Sequence, residues 1–253
     1  MRFASYNLFE GAQDTYPQLK EFVQAEDIDV LCLQEANGWK NGRHSRLKDF
    51  AATTGLHNYV YGNSNTKYKL ATFSRQPFIS SQVYIHNFWH SAIHVTVADD
   101  DDVVDVWNIH FDPKNEKRRL EEARQLGSLI DRKLPVLVTG DFNSLSRHDI
   151  YPDTLAPELA AQGITKFGED KLLFKVTTYL ESLGLVDVAA QCNQLENTVP
   201  TPANKDKYHA SQLRLDYMFA SNSLAKRVHN IEVPKNPLTD VISDHYPVIL
   251  TLK

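Results

Sequence analysis

The chain has 253 residues, of which 42% are hydrophobic and 23% are charged, a balance typical of a globular protein in water. A chain of this length buries enough apolar surface to fold without disulfides or a structural metal. The formal net charge of −5 argues against a large, sequence-independent DNA-binding surface. Two cysteines, Cys32 and Cys192, exclude a disulfide framework, and Cys32 lies in an apolar run that predicts a buried thiol.

The N-terminal segment shows no targeting signal. A strand pattern begins at Arg2, no apolar leader precedes it, and no apolar run approaches the ~18 residues of a membrane helix. We therefore expect a cytoplasmic protein without a transmembrane segment. No segment indicates an obligate protein partner, so we expect a monomer.

Apolar runs and helical spacing define the elements of the first half of the chain. Val30–Leu33 is almost continuously apolar, as expected for a strand covered on both faces. The predicted elements, in order, are strand Phe3–Tyr6, helix Tyr16–Ala25, strand Val30–Leu33, helix Leu47–Ala52, and strands Tyr59–Tyr61, Leu70–Phe73, Val83–Ile85, Ala92–Ala98 and Val103–Ile109.

The second half contains the best helical pattern, Glu116–Leu134, in which Leu120, Ala123, Leu126 and Ile130 fall on one face. The other predicted elements are strand Pro135–Val138, a loop with a short helix over Tyr151–Gly168, helix Lys171–Leu183, and strands Leu185–Val188, Leu213–Ala220, Val228–Val233 and Tyr246–Leu252. Strands and helices mix irregularly and several strands are joined by short turns, so we predict an α/β fold with mixed sheets. No linker divides the chain, which predicts one domain over residues 1–253.

Polar side chains end or interrupt apolar runs in six motifs spread over the whole chain. These motifs are Tyr6-Asn7, Gln34-Glu35, Asn108-Ile109-His110, Gly140-Asp141-Phe142-Asn143, Leu215-Asp216-Tyr217 and Ser243-Asp244-His245. Singly each motif is weak, because Gly140-Asp141 also suits a turn, Asp216 suits an ion pair with Arg214, and Ser243-Asp244 suits a cap. Together the six motifs predict strand ends that converge on one cleft.

Such a cleft gathers several acids, namely Glu35, Asp141, Asp216, Asp244 and, less securely, Asp112. Two like charges 4 Å apart repel by about 4 kcal/mol at an effective dielectric constant of 20, so convergence implies a cation. Oxygen ligands without cysteine favour Mg²⁺, Mn²⁺ or Ca²⁺ over zinc. Mg²⁺ is the first choice, because the phosphate groups of a substrate complete its coordination shell.

The remaining polar groups suit phosphoryl transfer. Asn7 and Asn143 can ligate a metal or orient water without adding charge, and His110 and His245 can donate hydrogen bonds to a phosphate. Asp216 can hold one imidazole in the required tautomer. An ordinary aspartate is a weak base at neutral pH, so Asp141 is better suited to orienting a polarised water.

The ordered motifs resemble the endonuclease/exonuclease/phosphatase superfamily from residue 4 to residue 250. Two further stretches are similar to motifs of that superfamily, Phe73-Ser74-Arg75-Gln76-Pro77-Phe78 and Leu183-Gly184-Leu185-Val186-Asp187. The resemblance implies a four-layer sandwich, with two mixed sheets face to face and helices outside. It also implies metal-dependent hydrolysis of a phosphodiester or a phosphomonoester.

The resemblance also implies roles for individual residues. Glu35 would be the chief metal ligand, with Asn7 beside it and Asp244 at a metal position. Asp141 would orient or deprotonate the attacking water and Asn143 would hold phosphate or water. Asp216 and His245 would act as a pair on the phosphate, and His110 would contact the phosphate or donate a proton. Arg75 would contact the substrate.

One departure from the family pattern falls at His90, where several relatives carry an arginine that meets a phosphate. We keep His90 as a substrate-binding residue, with binding expected to depend on pH. His86, His90 and His94 share a four-residue spacing that would form a metal-binding face on a helix. The surrounding β-branched residues favour strand or loop, which argues against a second metal site there.

The substrate is the least determined feature. A His at position 110 is similar to the deoxyribonuclease, sphingomyelinase and deadenylase branches, so we expect a nuclease-like phosphodiesterase. A phospholipid or small-metabolite phosphoesterase is the alternative, and a catalytically silent binding module is disfavoured because every motif position is filled. No Gly-x-Ser-x-Gly elbow supports a serine hydrolase. Two segments combine aromatic and basic residues that can stack bases and hold phosphates, either as substrate rims or as ordinary solvated loops: Trp39, Lys40, Arg43 and His44, and Lys205, Lys207, Tyr208 and His209.

Overall fold

The structure, a computed structural model, describes residues 1–40, 45–99, 102–205 and 211–253. Within these ranges the strands are β1 (Arg2–Asn7), β2 (Val30–Gln34), β3 (Asn58–Gly62), β4 (Leu70–Ser74), β5 (Ser80–Tyr84), β6 (Ala92–Asp99), β7 (Asp102–His110), β8 (Val136–Asp141), β9 (Leu185–Asp187), β10 (Asp216–Ser221), β11 (Val228–Glu232) and β12 (Val248–Leu252). The helices are α1 (Tyr16–Ala25), α2 (Arg46–Thr54), α3 (Glu116–Leu129), α4 (Leu155–Ala161), α5 (Lys175–Ser182), α6 (Val188–Gln191), α7 (Asn222–Ala225) and α8 (Thr239–Ile242).

The strands form two six-stranded sheets, in the orders β11-β12-β1-β2-β4-β3 and β5-β6-β7-β8-β10-β9. The pairs β1–β2 and β7–β8 are parallel and the other pairs are antiparallel, which confirms mixed sheets. Apolar side chains of α1 and α2 pack on the outer face of the first sheet, and those of α3 and α5 pack on the outer face of the second. The predicted four-layer α/β sandwich is therefore confirmed.

The space between the sheets changes from apolar to polar along the strands. Side chains alternate between the faces of a strand, so every second residue points inward. On β7, Val104 and Val106 belong to the apolar core between the sheets, and Asn108 and His110 continue the same face. The same progression occurs on three other strands, with Phe3, Ser5 and Asn7 on β1, Val30, Cys32 and Gln34 on β2, and Leu137, Thr139 and Asp141 on β8. One end of the sandwich is consequently a closed core and the other end is lined by polar groups.

A pair of buried amides joins the two sheets where this change occurs. The Gln34 Nε2 of β2 donates to the Asn108 Oδ1 of β7 at 2.8 Å. The Asn108 Nδ2 lies 3.2 Å from the Leu33 carbonyl oxygen and 3.0 Å from the Ala71 carbonyl oxygen, its acceptors on β2 and β4. Buried amides are costly unless they are hydrogen-bonded, and this bond satisfies the Gln34 Nε2 and the Asn108 Oδ1 across the sandwich. Because Gln34 directly precedes Glu35, this contact sets the position of β7 relative to β2 next to the site.

Element boundaries differ from the sequence predictions at two helices. The helix predicted over Glu116–Leu134 ends at Leu129, because Ile130 has an extended backbone with ψ of 124°. The helix predicted from Lys171 begins at Lys175, since the preceding residues fold back with the Leu173 amide bonded to the Phe167 carbonyl. The short helices α6, α7 and α8 were not predicted, because a four-residue helix is too short to show helical periodicity.

Replacing Asn108 with alanine should lower the free energy of unfolding by about 3 kcal/mol, because the Gln34 amide and two strand carbonyls lose a buried partner. Chemical denaturation of Asn108→Ala measures the loss. The control is Asn63→Ala at an exposed asparagine, which should change stability by less than about 0.5 kcal/mol. Equal effects of the two substitutions would contradict a role for Asn108 in joining the sheets.

Candidate active site

The polar end of the sandwich opens into a cleft with a volume of about 610 Å³. Eight of the ten site residues predicted from the sequence line it: Asn7, Glu35, His90, His110, Asp141, Asn143, Asp244 and His245. They come from the ends of strands in both sheets and from loops that directly follow or precede strands. The fold therefore brings together side chains that are as far apart in the chain as residues 7 and 245.

Asp141 lies at the centre of this group and is almost fully buried. Its Oδ2 accepts a hydrogen bond from the Asn7 Nδ2 at 3.0 Å, and its Oδ1 accepts one from the Asn143 backbone N–H at 2.8 Å. The same Oδ2 is 3.4 Å from the His110 Nε2 and 3.9 Å from the His245 Nε2. Two fixed donors thus orient the carboxylate, with both imidazoles beside one of its oxygens.

Gly140 is required for this arrangement. The parallel pairing of β7 and β8 places His110 opposite Asp141 and Ile109 opposite Gly140. Gly140 has a φ of 141°, and a Cβ at this position would lie 1.9 Å from the Ile109 carbonyl oxygen. Only glycine allows the two strands to approach this closely immediately before Asp141.

Asp216 and His245 form a buried pair behind the cleft surface. The His245 Nδ1 lies 2.7 Å from the Asp216 Oδ2, which also accepts a hydrogen bond from the Thr198 hydroxyl at 2.6 Å. Burial raises the pKa of Asp216. Burial by itself lowers the pKa of His245, but the Asp216 carboxylate, helped by two further acids of the cleft, outweighs burial and raises that pKa to about 10. The pair therefore holds its shared proton at neutral pH, with the His245 Nε2 facing Asp141.

Glu35 follows β2 in a left-handed backbone conformation, with φ of 58°. Its Oε2 accepts a hydrogen bond from the Glu10 backbone N–H at 2.9 Å, and Glu10 belongs to the left-handed turn that follows Asn7. Burial raises the pKa of Glu35 to about 7, and the charges of Asp244 and Asp141 act in the same direction. A carboxylate whose pKa is raised by burial and by neighbouring negative charge fits a divalent cation, whose charge would favour the ionised form.

The wall next to His110 is built from stacked rings. The rings of His90 and His110 lie 4.2 Å apart at 29°, and the Tyr68 ring approaches His90 edge-on at 5.4 Å. The His90 Nδ1 is 2.6 Å from the Thr66 hydroxyl oxygen, whereas its buried Nε2 has no hydrogen-bond partner. Burial, and then the neighbouring His110, lower the pKa of His90 to about 2. His90 is therefore a neutral imidazole at the position where arginine was expected from the family pattern.

A second group of metal-ligand atoms occurs within the same site. Single ligand atoms of Asp141, Asp216 and His245 lie within 4.8 Å of one another. In this group the His245 Nδ1 already contacts Asp216, and the Asp216 Oδ2 already accepts from Thr198. The Asp216 Oδ1, by contrast, is buried without a hydrogen-bond partner among the described residues, so this group keeps one uncommitted ligand atom.

Arg75 lies outside the cleft, contrary to the sequence prediction. Its guanidinium contacts the Asp27 carboxylate at 2.6 Å and the Asp29 carboxylate at 3.3 Å. Strands β2 and β4 are antiparallel with Val30 opposite Ser74, so Arg75 lies beside the start of β2. Glu35 follows the other end of β2, about 20 Å away at ~3.3 Å per residue. A motif that resembles the family pattern is therefore present, but the fold directs its arginine away from the site.

Trp39 and Asp112 also differ from the sequence expectations, whereas His94 agrees with them. Trp39 is fully buried and donates to the Gly11 carbonyl oxygen, so it cannot serve as an exposed rim residue. Asp112 accepts the backbone N–H groups of Lys114 and Asn115, which makes it part of the turn before α3, whose N-cap residue is Asn115. His94 stacks on Trp107, away from His90, so the histidine spacing forms no cluster in the described residues. The predicted rim residues Arg43, His44, Lys207, Tyr208 and His209 lie outside the described residues.

Three residues of the site were not singled out from the sequence. Thr198 holds Asp216, Tyr68 packs against His90, and Lys166 lies with its Nζ 3.4 Å from the Asn143 Oδ1. Thr198 and Lys166 belong to irregular segments without apolar periodicity, so no strand end marked them. Tyr68 lies two residues before the start of β4, and this position near a strand end is the sequence signal that could have identified it.

Two packed mixed sheets with a cleft of buried acids and imidazoles at one end form a phosphoesterase fold. The sequence profile of the Endonuclease/Exonuclease/phosphatase family matches residues 4–245, so the chain belongs to this family. Members of the family are divalent-metal-dependent hydrolases that act on phosphate esters. No curated protein matches the chain in sequence.

Solved structures share the fold at low sequence identity. An endonuclease/exonuclease/phosphatase from Beutenbergia cavernae is 18% identical with a TM-score of 0.73, covering 99% of this chain and 70% of its own. A family protein from Leptotrichia buccalis is 15% identical with a TM-score of 0.69, covering 100% of this chain and 99% of its own. An AP endonuclease from Archaeoglobus fulgidus is 17% identical with a TM-score of 0.74, covering 100% of this chain and 99% of its own. None of the described helices combines the length and apolar character needed to cross a bilayer.

The pKa of His245 should depend on Asp216. In EDTA we expect the His245 ring to titrate near pH 10, and Asp216→Asn should lower this pKa towards the ordinary value of about 6.5, because burial is then opposed by Asp244 and Asp141 without the Asp216 carboxylate. Since folding raises the pKa of His245, its interaction with Asp216 stabilises the folded protein. This contribution to the free energy of unfolding is complete below about pH 6.5 and is lost as pH rises through about 10. Histidine NMR titration measures the shift, with exposed Asp153→Asn as the control; an unchanged titration in Asp216→Asn would disprove the coupling.

Proposed function

We propose that this chain is a single-domain, divalent-metal-dependent phosphodiesterase over residues 1–253, with nuclease-like action and Mg²⁺ as its metal. The observation that carries the proposal is the joint geometry of Asp141, His110 and the Asp216–His245 pair. The Asp141 Oδ2 lies 3.4 Å from the His110 Nε2 and 3.9 Å from the His245 Nε2, and the other ring nitrogen of His245 contacts Asp216. This arrangement places a proton acceptor next to donors for a phosphate, as hydrolysis of a phosphate ester requires.

Glu35, Asn7 and Asp244 are the proposed metal ligands. All three line the cleft and offer oxygen atoms, and the pKa of Glu35 is raised first by burial and then by the charges of Asp244 and Asp141, which supports a cation at this position. A bound divalent cation supplies positive charge that polarises the phosphoryl group. Mn²⁺ and Ca²⁺ satisfy the same oxygen-rich ligand set. Asp141, Asp216 and His245 are assigned to catalysis instead, because the His245 Nδ1 is engaged by the Asp216 Oδ2 and both Asp141 oxygens already accept hydrogen bonds.

Asp141 is the proposed acceptor for the attacking water. Asn7 and the Asn143 N–H hold its two oxygens, so the carboxylate needs little reorganisation when it orients the nucleophile. Asn143 has a left-handed backbone with φ of 49°, which turns its side chain towards the cleft opening beside Lys166. Its amide is placed to hold the phosphate or the water.

His245 and His110 are the proposed donors to the phosphate. Because the His245 Nδ1 is bonded to Asp216, its Nε2–H is directed towards the cleft, and the raised pKa keeps the ring charged at neutral pH. His110 lies on the other side of Asp141 and is stacked on His90. We propose that the neutral His90 contacts the substrate through its unpartnered Nε2, as a hydrogen-bond group without a positive charge.

A nucleic acid is the proposed substrate class. A structure with the same fold is described as an AP endonuclease, and the cleft is open enough to admit a chain. A phospholipid is the alternative, for which the exposed Phe9 at the cleft is the supporting observation. A small phosphorylated metabolite is a further alternative. A monomeric state and a cytoplasmic location stay predictions from the sequence.

Asp141→Asn and His245→Gln should each lower kcat by about 10³-fold without loss of folding, because each removes a group that acts in the transition state. The assay measures hydrolysis of bis-p-nitrophenyl phosphate and of DNA and RNA oligonucleotides with Mg²⁺, with Mn²⁺ and with EDTA. Exposed Asp153→Asn is the matched control and should retain activity. Full activity of folded Asp141→Asn, or undiminished wild-type activity in EDTA, would refute the proposed function. Hydrolysis of sphingomyelin but not of nucleic acids would favour the alternative.

Mn²⁺ affinity should depend on Glu35 and not on Asp216. Glu35→Gln should weaken Mn²⁺ binding by about 100-fold, since it removes a charged ligand. Asp216→Asn should change the affinity by less than about threefold, because loss of its charge is accompanied by loss of the proton on His245. Titration calorimetry measures both affinities. The reverse order of effects would assign the metal to Asp141, Asp216 and His245.

A further inference from the structure

The wall of the cleft beside Asn143 carries two lysines, Lys114 and Lys166. Lys114 lies in the loop that follows β7, and Lys166 lies in the connection between α4 and α5. The Lys166 Nζ is 3.4 Å from the Asn143 Oδ1, which places a positive charge next to a residue proposed to hold the phosphate. Among the described residues that line the cleft, these two are the lysine and arginine side chains.

A buried arginine fastens this wall. Arg119 of α3 is completely buried and donates to the carbonyl oxygens of Asp112 and Lys166. It also donates to the Ser144 hydroxyl oxygen at 3.0 Å and pairs with Glu116 at 2.9 Å. One guanidinium therefore binds the loops that follow β7 and β8 and the segment that carries Lys166. Burying a guanidinium is costly, so these contacts hold the two lysine-bearing loops in a defined position.

The wall formed by Tyr68, His90 and His110 carries no lysine or arginine among the described residues that line the cleft, and the buried imidazole of His90 is neutral. Lys67 lies 4.9 Å from the Tyr68 ring, but it does not line the cleft and it pairs with Glu10. Apart from His245 and a metal ion at its proposed position, the positive charge among the described cleft residues therefore lies on the side of Lys114 and Lys166. A substrate with a second negative charge would therefore be bound in one orientation, with that charge beside the lysines.

We propose that Lys166, supported by Lys114, forms a second anion subsite that binds the phosphate next to the one being hydrolysed in a polynucleotide strand. This inference rests on the proposed function and specifies the substrate class. A nucleic-acid strand carries one negative charge per nucleotide, so a strand held at Asp141 extends a neighbouring phosphate along the cleft. A lysine ammonium on a flexible stem suits such a contact, because it binds phosphate as a point charge without demanding one geometry.

Lys166→Gln tests the subsite. With a short single-stranded oligonucleotide we expect kcat/KM to fall about tenfold, mainly through KM, because one charged contact to the substrate is lost. The plot of log(kcat/KM) against log salt concentration should become shallower by about 0.7, the value for one phosphate contact to a single strand. With bis-p-nitrophenyl phosphate, which has one phosphate, kcat/KM should fall by a clearly smaller factor than with the oligonucleotide.

Two further variants serve as controls. Lys171→Gln removes an exposed lysine of the same connection that does not line the cleft, and it should behave as the wild type with both substrates. Lys166→Arg keeps the charge and should retain most of the activity on the oligonucleotide. Circular dichroism and thermal unfolding establish that Lys166→Gln is folded.

Three results would overturn the subsite. An equal loss with both substrates would place Lys166 at the scissile phosphate, and no loss with the oligonucleotide would remove it from substrate binding. A changed inhibition by a nucleoside 3′,5′-bisphosphate, with oligonucleotide hydrolysis unchanged, would assign the lysine to a small bisphosphate. Failure of the proposed function is distinguishable from all three, because the wild type would then hydrolyse neither phosphodiester.

Discussion

The hydrogen bond between Gln34 and Asn108 is the contact on which the site geometry depends. It joins the two sheets at the depth where the interior between them changes from apolar to polar. On one side of this contact, valine, leucine and phenylalanine side chains close the core. On the other side, the inward-facing positions carry amides, carboxylates and imidazoles that cannot pack without partners. Because this contact joins the sheets, Glu35, which follows a strand of one sheet, and Asp141, which ends a strand of the other, both line an open cleft.

Electrostatics then divides the acids of the cleft into two groups. Asp216 has a protonated imidazole as its partner, so its charge is balanced within the protein. Glu35 receives only a backbone N–H, and its pKa rises to about 7 under burial and the neighbouring acids. A group with a raised pKa and few partners is where an external cation gives the largest gain in free energy. The same reasoning supports the proposal that the metal binds at Glu35, apart from the Asp216–His245 pair.

The cleft is also asymmetric, and the asymmetry originates in loops and not in the sheets. Stacked neutral rings form one wall, whereas the lysine-bearing wall is held by Arg119 through two backbone carbonyls. A neutral His90 in place of an arginine leaves the lysines as the charged part of the wall. In the proposed function, the strand ends supply the groups for reaction and the lysine-bearing loops supply the contacts that select a substrate.

The sequence by itself determined the strands, the mixed α/β class and the residue types that gather at the strand ends, because alternation and apolar runs are local properties of the chain. It did not determine which strand ends meet. Arg75 belongs to a matching motif, yet the antiparallel register of β2 and β4 carries it to the far end of the sheet. Lys166 and Thr198 had no local pattern and enter the site only through hydrogen bonds with distant residues. Tertiary structure decided these positions, because strand pairing and loop anchoring are long-range contacts that no local pattern encodes.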